Sequence, residues 1–253
     1  LAPHSIRAVP RPWLEAIAEQ SAGRVVHIHA SEQRRELEQS RQEYGTTPIR
    51  ALHETGLLGA KTTVVHATHA SDDEIGLLAD SGATVCACPT TERNLGDGFL
   101  PATGLVEAGV PISLGSDSHA NIDIWEEMRL VEYHERLRKE RRNVLATAVD
   151  SRTTAEVLWP MGARDGARCL GQSAGVFEPG AAADFTVVDL EHVSLVGSTK
   201  ETLLTDLTLS MTPGAVRDVY VAGEQVVRDG EHAEREAIVA DYRRVVREVF
   251  GTI

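Results

Sequence analysis

Apolar positions in the first part of the chain gather into four short runs rich in β-branched residues: RVVHIHA (24–30), KTTVVHA (61–67), ATVCAC (83–88) and VPISL (110–114). Each run is nearly continuous rather than alternating. That is the pattern of a strand covered on both faces, as in a buried parallel sheet. Helix signals fill the intervals. Thr47 before Pro48 reads as an N-cap with proline at the first helical position, leading into residues 49–58. Ser71 with Glu74 makes a capping box ahead of Ile75, Leu77 and Leu78, and Gly82 stops that helix. Longer charged helical stretches are predicted over residues 123–149 and 153–170.

The texture changes after Gly171. GVFEPGAAADFTVVD (175–189) reads as a turn followed by a strand. AVRDVYVA (215–222) and QVVR (225–228) flank Gly223-Glu224 as a hairpin. Ile238, Tyr242, Val245, Val246 and Val249 mark the apolar face of a final helix. The predicted organisation is α/β: β/α units over residues 1–171, a small β domain over 172–232 and a C-terminal helix over 233–253. Four β/α units make half of a (β/α)8 barrel, and a whole barrel takes about 250 residues. All four strand signals fall within residues 24–114, so the sheet is either open or completed by strands outside this chain. The chain begins at Leu1 rather than Met, and LAPHS (1–5) reads as a strand end running into a loop, so an upstream segment is expected.

Composition narrows the function. The 253 residues are 42% hydrophobic and 25% charged, which is ordinary for a globular protein and excludes disordered, collagen-like and coiled-coil classes. A net charge of −13 argues against a nucleic-acid-binding surface, which needs clustered Lys and Arg. It still allows a small anion to bind at one local Arg. Three cysteines do not make a disulfide framework, so a reducing, cytoplasmic compartment is expected. There is no run of about 18 apolar residues, hence no expected membrane span, and no signal peptide is expected.

Polar residues collect at the C-terminal ends of the predicted strands. His4 and Arg7 follow the first strand end, and His27, His29 and Glu32 lie in HIHASE. His66 and His69 lie in HATH, and Asp117 lies in GSDSH with His119 beside it. Parallel α/β folds bind their ligands at that edge. An H-x-H on a strand puts both imidazoles on one face, where they can chelate zinc, although two half-buried strand histidines give the same pattern. Taken singly, Asp117 reads as a turn residue and His66 as a satisfied core histidine. The order His, His, Asp, each at a strand end, points to a metal hydrolase. Zinc takes His nitrogen and Asp oxygen, and a catalytic site keeps a position open for water. Other features read as structural. Cys86 and Cys88 pack within a strand, and His53, His134, His192 and His232 are surface or capping residues. ERLRKERR (135–142) is a solvated helix face.

These motifs resemble the amidohydrolase superfamily, zinc-dependent barrel hydrolases with metal-site histidines at the ends of strands 5 and 6 and an aspartate at strand 8. LAPHSIRAVP (1–10), VHIHASEQ (26–33), VVHATHAS (64–71), GSDSHA (115–120) and GVFEPGAAADFTVVDL (175–190) are similar, within it, to the formimidoylglutamate deiminase family. The resemblance implies a (β/α)8 TIM-barrel metal-dependent hydrolase with a small β-sandwich domain. This chain would hold only the second half of the barrel and the C-terminal part of the sandwich. The resemblance makes His29 the strand-5 zinc ligand, with His27 a structural neighbour. It makes Asp117 the strand-8 ligand and the acceptor of a proton from water. A neutral His66 would donate a hydrogen bond to the developing tetrahedral centre, and Glu32 would carry a proton to the departing nitrogen. His4 would sit beside the reacting group, and Arg7 would pair with a substrate carboxylate.

The implied cofactor is one Zn(2+) ion per complete active site, although iron and manganese accept the same ligand types. The implied reaction is hydrolysis of N-formimino-L-glutamate, a small dicarboxylate, to N-formyl-L-glutamate and ammonia. A homodimer is compatible with the resemblance. The superfamily's other H-x-H, on strand 1, has no counterpart upstream of His29. His27 and His29 do not replace it, because only 37 positions separate His29 from His66, too few for the units that follow strand 1. His29 and Asp117 alone are too few ligands for a tight catalytic zinc, so this stretch by itself is expected to be inactive. Two rivals stand beside this reading: a sibling enzyme that deaminates a purine or other ring amine, and a non-catalytic fragment acting as a binding module.

Overall fold

The computed structural model describes residues 1–21, 23–119 and 121–251. Ala120 of the GSDSHA motif and the last two residues of the predicted C-terminal segment lie outside the described residues. The four predicted strand runs form β1 (Val26–Ala30), β2 (Thr62–His66), β3 (Thr84–Ala87) and β4 (Ile112–Leu114). They make one parallel sheet in the order β1-β2-β3-β4. The strand end read in LAPHS is also present: Ser5 bridges His29 in parallel, and the His29 amide donates to the His4 carbonyl.

Among the described residues ten helices accompany this sheet: α1 (Arg11–Gln20), α2 (Arg34–Tyr44), α3 (Pro48–Glu54), α4 (Asp72–Ser81), α5 (Pro89–Leu95), α6 (Ala102–Glu107), α7 (Ile124–Lys139), α8 (Val144–Ala148), α9 (Thr154–Gly162) and α10 (Arg164–Cys169). Ile28, Val64, Val85 and Ile112 from the strands join Leu52, Leu78, Leu105 and Leu158 from the helices in one buried core. Each such side chain contributes roughly 1.5–3 kcal/mol by leaving water. Gly115 lies just past β4, where a Cβ would come within 3.3 Å of Cys86 Sγ and 3.6 Å of Cys88 Sγ, so a larger residue would crowd the two thiols. Both cysteines are free thiols; Cys86 in β3 is half-buried and Cys88 just after it is buried.

The capping box of α4 forms as read, and Gly82 ends that helix in the left-handed conformation. Thr47 occupies the N-cap of α3 with Pro48 opening the helix, as read, but its hydroxyl donates to Glu74 rather than accepting a helix amide. The stretch expected to be helical over 123–149 is two helices. Glu140 and Asn143 turn the chain at positive φ, and the buried Glu132 carboxylate accepts the Val144 and Leu145 amides that open α8. The stretch 153–170 likewise breaks at Ala163. The apolar pattern does not show α2, since its inward face carries Glu36 and Ser40.

Two surface assignments are corrected. His134 is only 7% exposed, and its ring lies 4.7 Å from that of Phe99. Glu135, in the run read as solvated, is fully buried and accepts the Thr103 hydroxyl. His53 and His232 are exposed, and His192 bonds Ser194. The second sheet is antiparallel in the order β5 (Phe185–Val188), β6 (Val216–Val221), β7 (Glu224–Arg228), β8 (Glu231–His232). Its hairpin turns on Ala222-Gly223, one residue before the predicted pair. Between β5 and β6 lies α11 (Leu203–Leu209), and α12 (Arg235–Phe250) closes the described chain with its apolar face uncovered. Among the described residues no helix is long and apolar enough to cross a membrane.

His134 gives the fold a pH dependence. Burial, and then Arg93, pushes its imidazole down to about 4. The unfolded ring, at its ordinary 6.5, binds a proton that the folded ring refuses until about pH 4. The unfolded state therefore holds more protons in that window, and stability falls as pH falls through it, by roughly 3 kcal/mol in all. Urea unfolding at pH 7 and pH 4.5 is expected to show this loss in the native chain and a smaller one in His134→Leu. Equal losses would contradict it.

Candidate metal centre

All four parallel strands end on one edge, and the backbone leaves strand geometry there at once. Ser31, His66, Ala67 and Asp117 take φ values of +57°, +75°, +52° and +50°. Non-glycine residues in that region cost of order 1–3 kcal/mol each unless their surroundings hold them. Here the holding bonds run between neighbouring strand ends. The Ala67 amide donates to Ala30, His69 to Ser31, and Gly115 to Ala87.

These sharp exits bring one ligand atom each from His29, His66 and Asp117 within 4.8 Å of one another. His29 Nε2 lies 3.7 Å from Asp117 Oδ1, and His66 Nε2 lies 3.9 Å from Asp117 Oδ2. The His29 ring is aimed through its other nitrogen, since Nδ1 donates to the His4 carbonyl at 2.7 Å. A backbone carbonyl behind a histidine leaves its Nε2 bare for a metal. His66 is fully buried, with Nδ1 3.3 Å from Glu92 Oε1. Its Nε2 is buried without a hydrogen-bond partner, a loss of about 1–3 kcal/mol for a group that nothing binds. Two imidazole nitrogens, one of them without a partner among the described residues, and a carboxylate are a donor set that fits a divalent cation.

Burial by itself pulls the His66 imidazole below its ordinary range, but Glu92, then Glu32 and Asp117, outweigh it and the net shift is upward. With Nδ1–H on Glu92, a neutral His66 shows the site a lone pair. In that tautomer it donates from Nε2 only as an imidazolium.

Glu32 is beside this cluster, with Oε1 3.9 Å from His66 Nε2. Its other oxygen accepts from Arg7 Nη2 at 2.7 Å, and its amide donates to Glu36 Oε2. Arg7 is thus tied to the expected proton carrier. Its side chain is 31% exposed, and one of its five N–H donors is spent on Glu32. The His4 ring lies 5.0 Å from that of His29, tilted by 33° to it. His27 shares the strand face but bonds the Cys169 carbonyl at 2.8 Å, outside the cluster. His69 and His119 are also outside it: burial lowers the pKa of His69, and His119 Nδ1 accepts the Asn121 amide.

The sequence reading missed Glu92 and Glu36. Glu92 falls in the first turn of α5, where an acidic residue is ordinary compensation for the helix dipole, so its position gives no distinct signal.

The amidohydrolase family profile matches residues 1–226, and the chain belongs to that family. It is 36% identical over 247 residues to the formimidoylglutamate deiminase of Pseudomonas aeruginosa, covering 97% of this chain and 54% of that protein. It is 33% identical over 232 residues to the 5-methylthioadenosine/S-adenosylhomocysteine deaminase of Haloarcula marismortui, covering 90% of this chain and 51% of that protein. Its structure is similar to that of an adenosine deaminase from Xanthomonas campestris with bound zinc. The TM-score is 0.88 at 27% identity, over 99% of this chain and 57% of the other. The chain spans about half the length of the curated relatives it matches.

If the three groups form one metal centre, His29→Ala and Asp117→Ala each weaken zinc binding by more than the roughly 10–100-fold typical of losing a residue behind a ligand. His119→Ala leaves binding unchanged. Competition with a chromophoric chelator measures both, and equal affinities in all three variants would contradict the assignment.

Proposed function

We propose that this chain supplies the second half of a (β/α)8 barrel, from the end of strand 4 at Ser5 through β1, β2, β3 and β4, with part of a small sandwich. The complete protein is then a zinc-dependent deiminase that converts N-formimino-L-glutamate to N-formyl-L-glutamate and ammonia. The observation that carries this reading is the convergence of His29, His66 and Asp117 within 4.8 Å, with the Arg7–Glu32 pair beside them. The 36% identity to a formimidoylglutamate deiminase supports the choice of substrate.

His29 Nε2 and the Asp117 carboxylate would hold the ion, with His66 Nε2 facing the same point and further ligands coming from the first half of the barrel. When bound, zinc supplies Lewis acidity, which lowers the pKa of water to about 7 and provides a nucleophile at neutral pH. The chain's own residues do the rest. Asp117 accepts the proton that the attacking water gives up. As an imidazolium, His66 donates from Nε2 to the oxygen that becomes the formyl carbonyl. Glu32 delivers one proton to the imino nitrogen as water adds; the resulting amine takes a second proton, the one Asp117 accepted, the hydroxyl proton of the adduct returns to Glu32, and the carbon–nitrogen bond breaks with the nitrogen leaving as ammonia. Arg7 binds a substrate carboxylate as a charge-assisted fork. Because Arg7 also holds Glu32, substrate recognition and proton delivery are mechanically joined.

A ring amine is the second reading, favoured by the similarity to a 5-methylthioadenosine/S-adenosylhomocysteine deaminase and to an adenosine deaminase. Ammonia release by the zinc-loaded product of the full reading frame separates the two. The expected result is turnover of N-formimino-L-glutamate and none of adenosine. Arg7→Ala is expected to lower kcat/KM for the dicarboxylate by roughly 10–100-fold, the value of a hydrogen bond to a charged group. Turnover of adenosine alone would select the ring-amine reading. No retained zinc and no turnover of either substrate would select a non-catalytic module.

A further inference from the structure

Glu92 is the one fully buried carboxylate in contact with His66, and none of the proposed chemical steps uses it. Its Oε1 accepts the Cys88 amide at 2.9 Å and lies 3.3 Å from His66 Nδ1. Both side chains are 0% exposed. The carboxylate is held from behind by its own helix: the Glu92 amide donates to the Cys88 carbonyl and the Asp97 amide donates to the Glu92 carbonyl. On the other side of the ring, Nε2 faces Glu32 Oε1 and Asp117 Oδ2 at 3.9 Å each. A histidine ring at the end of a strand has two faces to offer, and its backbone here is already in the left-handed region. A fixed acceptor on Nδ1 decides which nitrogen meets the site.

We propose that Glu92 is a positioning residue that holds the His66 ring with its Nδ1–H inward and its Nε2 directed at the metal centre. It touches no reacting atom and acts through His66, as the buried carboxylate of a catalytic triad acts through its histidine. The proposal rests on the deiminase reading only for its kinetic consequence. The orientation of the ring is a property of the chain alone.

Two measurements test it. In the metal-free chain, 15N NMR of His66, assigned by its loss in His66→Gln, should show Nδ1 as the protonated nitrogen of the neutral ring. In Glu92→Gln the amide oxygen keeps an acceptor on Nδ1, so the same tautomer is expected. In Glu92→Met, which has no oxygen, Nε2–H should gain population. A wild-type ring protonated on Nε2 would overturn the proposal whether or not either variant folds. In the zinc-loaded full-length enzyme, Glu92→Met should lower kcat about 10–100-fold. Glu92→Gln should recover most of that loss, with KM and zinc content unchanged in both. An unchanged kcat in Glu92→Met, or a fall matched by loss of zinc, would also overturn it. If the full-length enzyme releases no ammonia from N-formimino-L-glutamate, the substrate reading fails, and the NMR result still decides the role of Glu92.

Discussion

Parallel hydrogen bonding between neighbouring strands sets the position of every group in the candidate metal centre. Ala30 pairs with His66 and His29 with Val65, so the two imidazoles lie one step apart on adjacent strands. The pairing of Ala87 with Leu114 places Gly115 and then Asp117 at the same edge. Side chains alternate along a strand, so Ile28 and Ala30 enter the helix-covered core while His27 and His29 take the other face. A register slip of one residue would send His29 into the core and Ile28 to the site. The core side chains enforce the register, so the apolar packing and the metal site are one constraint seen from two sides.

The edge concentrates negative charge. Glu32, Glu92 and Asp117 surround one buried imidazole, and Glu36 lies behind the backbone that carries Glu32. Burial raises the pKa of Glu36, as expected for a carboxylate taken from water. Arg7 offsets part of this charge through Glu32. The three carboxylates raise the His66 pKa against the opposing effect of burial. A divalent cation at this point would change that balance, because its own charge exceeds that of any neighbour. The site is thus built with an excess of acceptors over donors, as a cation site requires and a plain core does not.

Much of this was legible in the sequence, for definite reasons. The four strands announce themselves because each reads as a short, nearly unbroken apolar run, although β2 is buried at every position while β1 alternates buried and half-buried. The strand-end residues His29, Glu32, His66 and Asp117 follow directly, since each stands at or just after the end of such a run. The same reasoning fails where burial is polar. The inward face of α2 carries Glu36 and Ser40 and shows no apolar period. In α7 the buried residues include Glu132, His134 and Glu135, so a packed face reads as a solvated one. Glu92 was missed on similar grounds, because only the fold brings it against His66. The tie between Arg7 and Glu32, 25 positions apart, is tertiary in the same way.

The central claim is that the C-terminal edge of the parallel sheet holds a metal ion through His29 and Asp117, with His66 facing it. Anomalous diffraction at the zinc edge, from crystals of the zinc-loaded protein, tests it most directly. The account predicts a peak between His29 Nε2 and the Asp117 carboxylate, with His66 Nε2 and Glu32 beside it. Zinc bound only elsewhere, or no peak at that point from protein that retains zinc in solution, would contradict it.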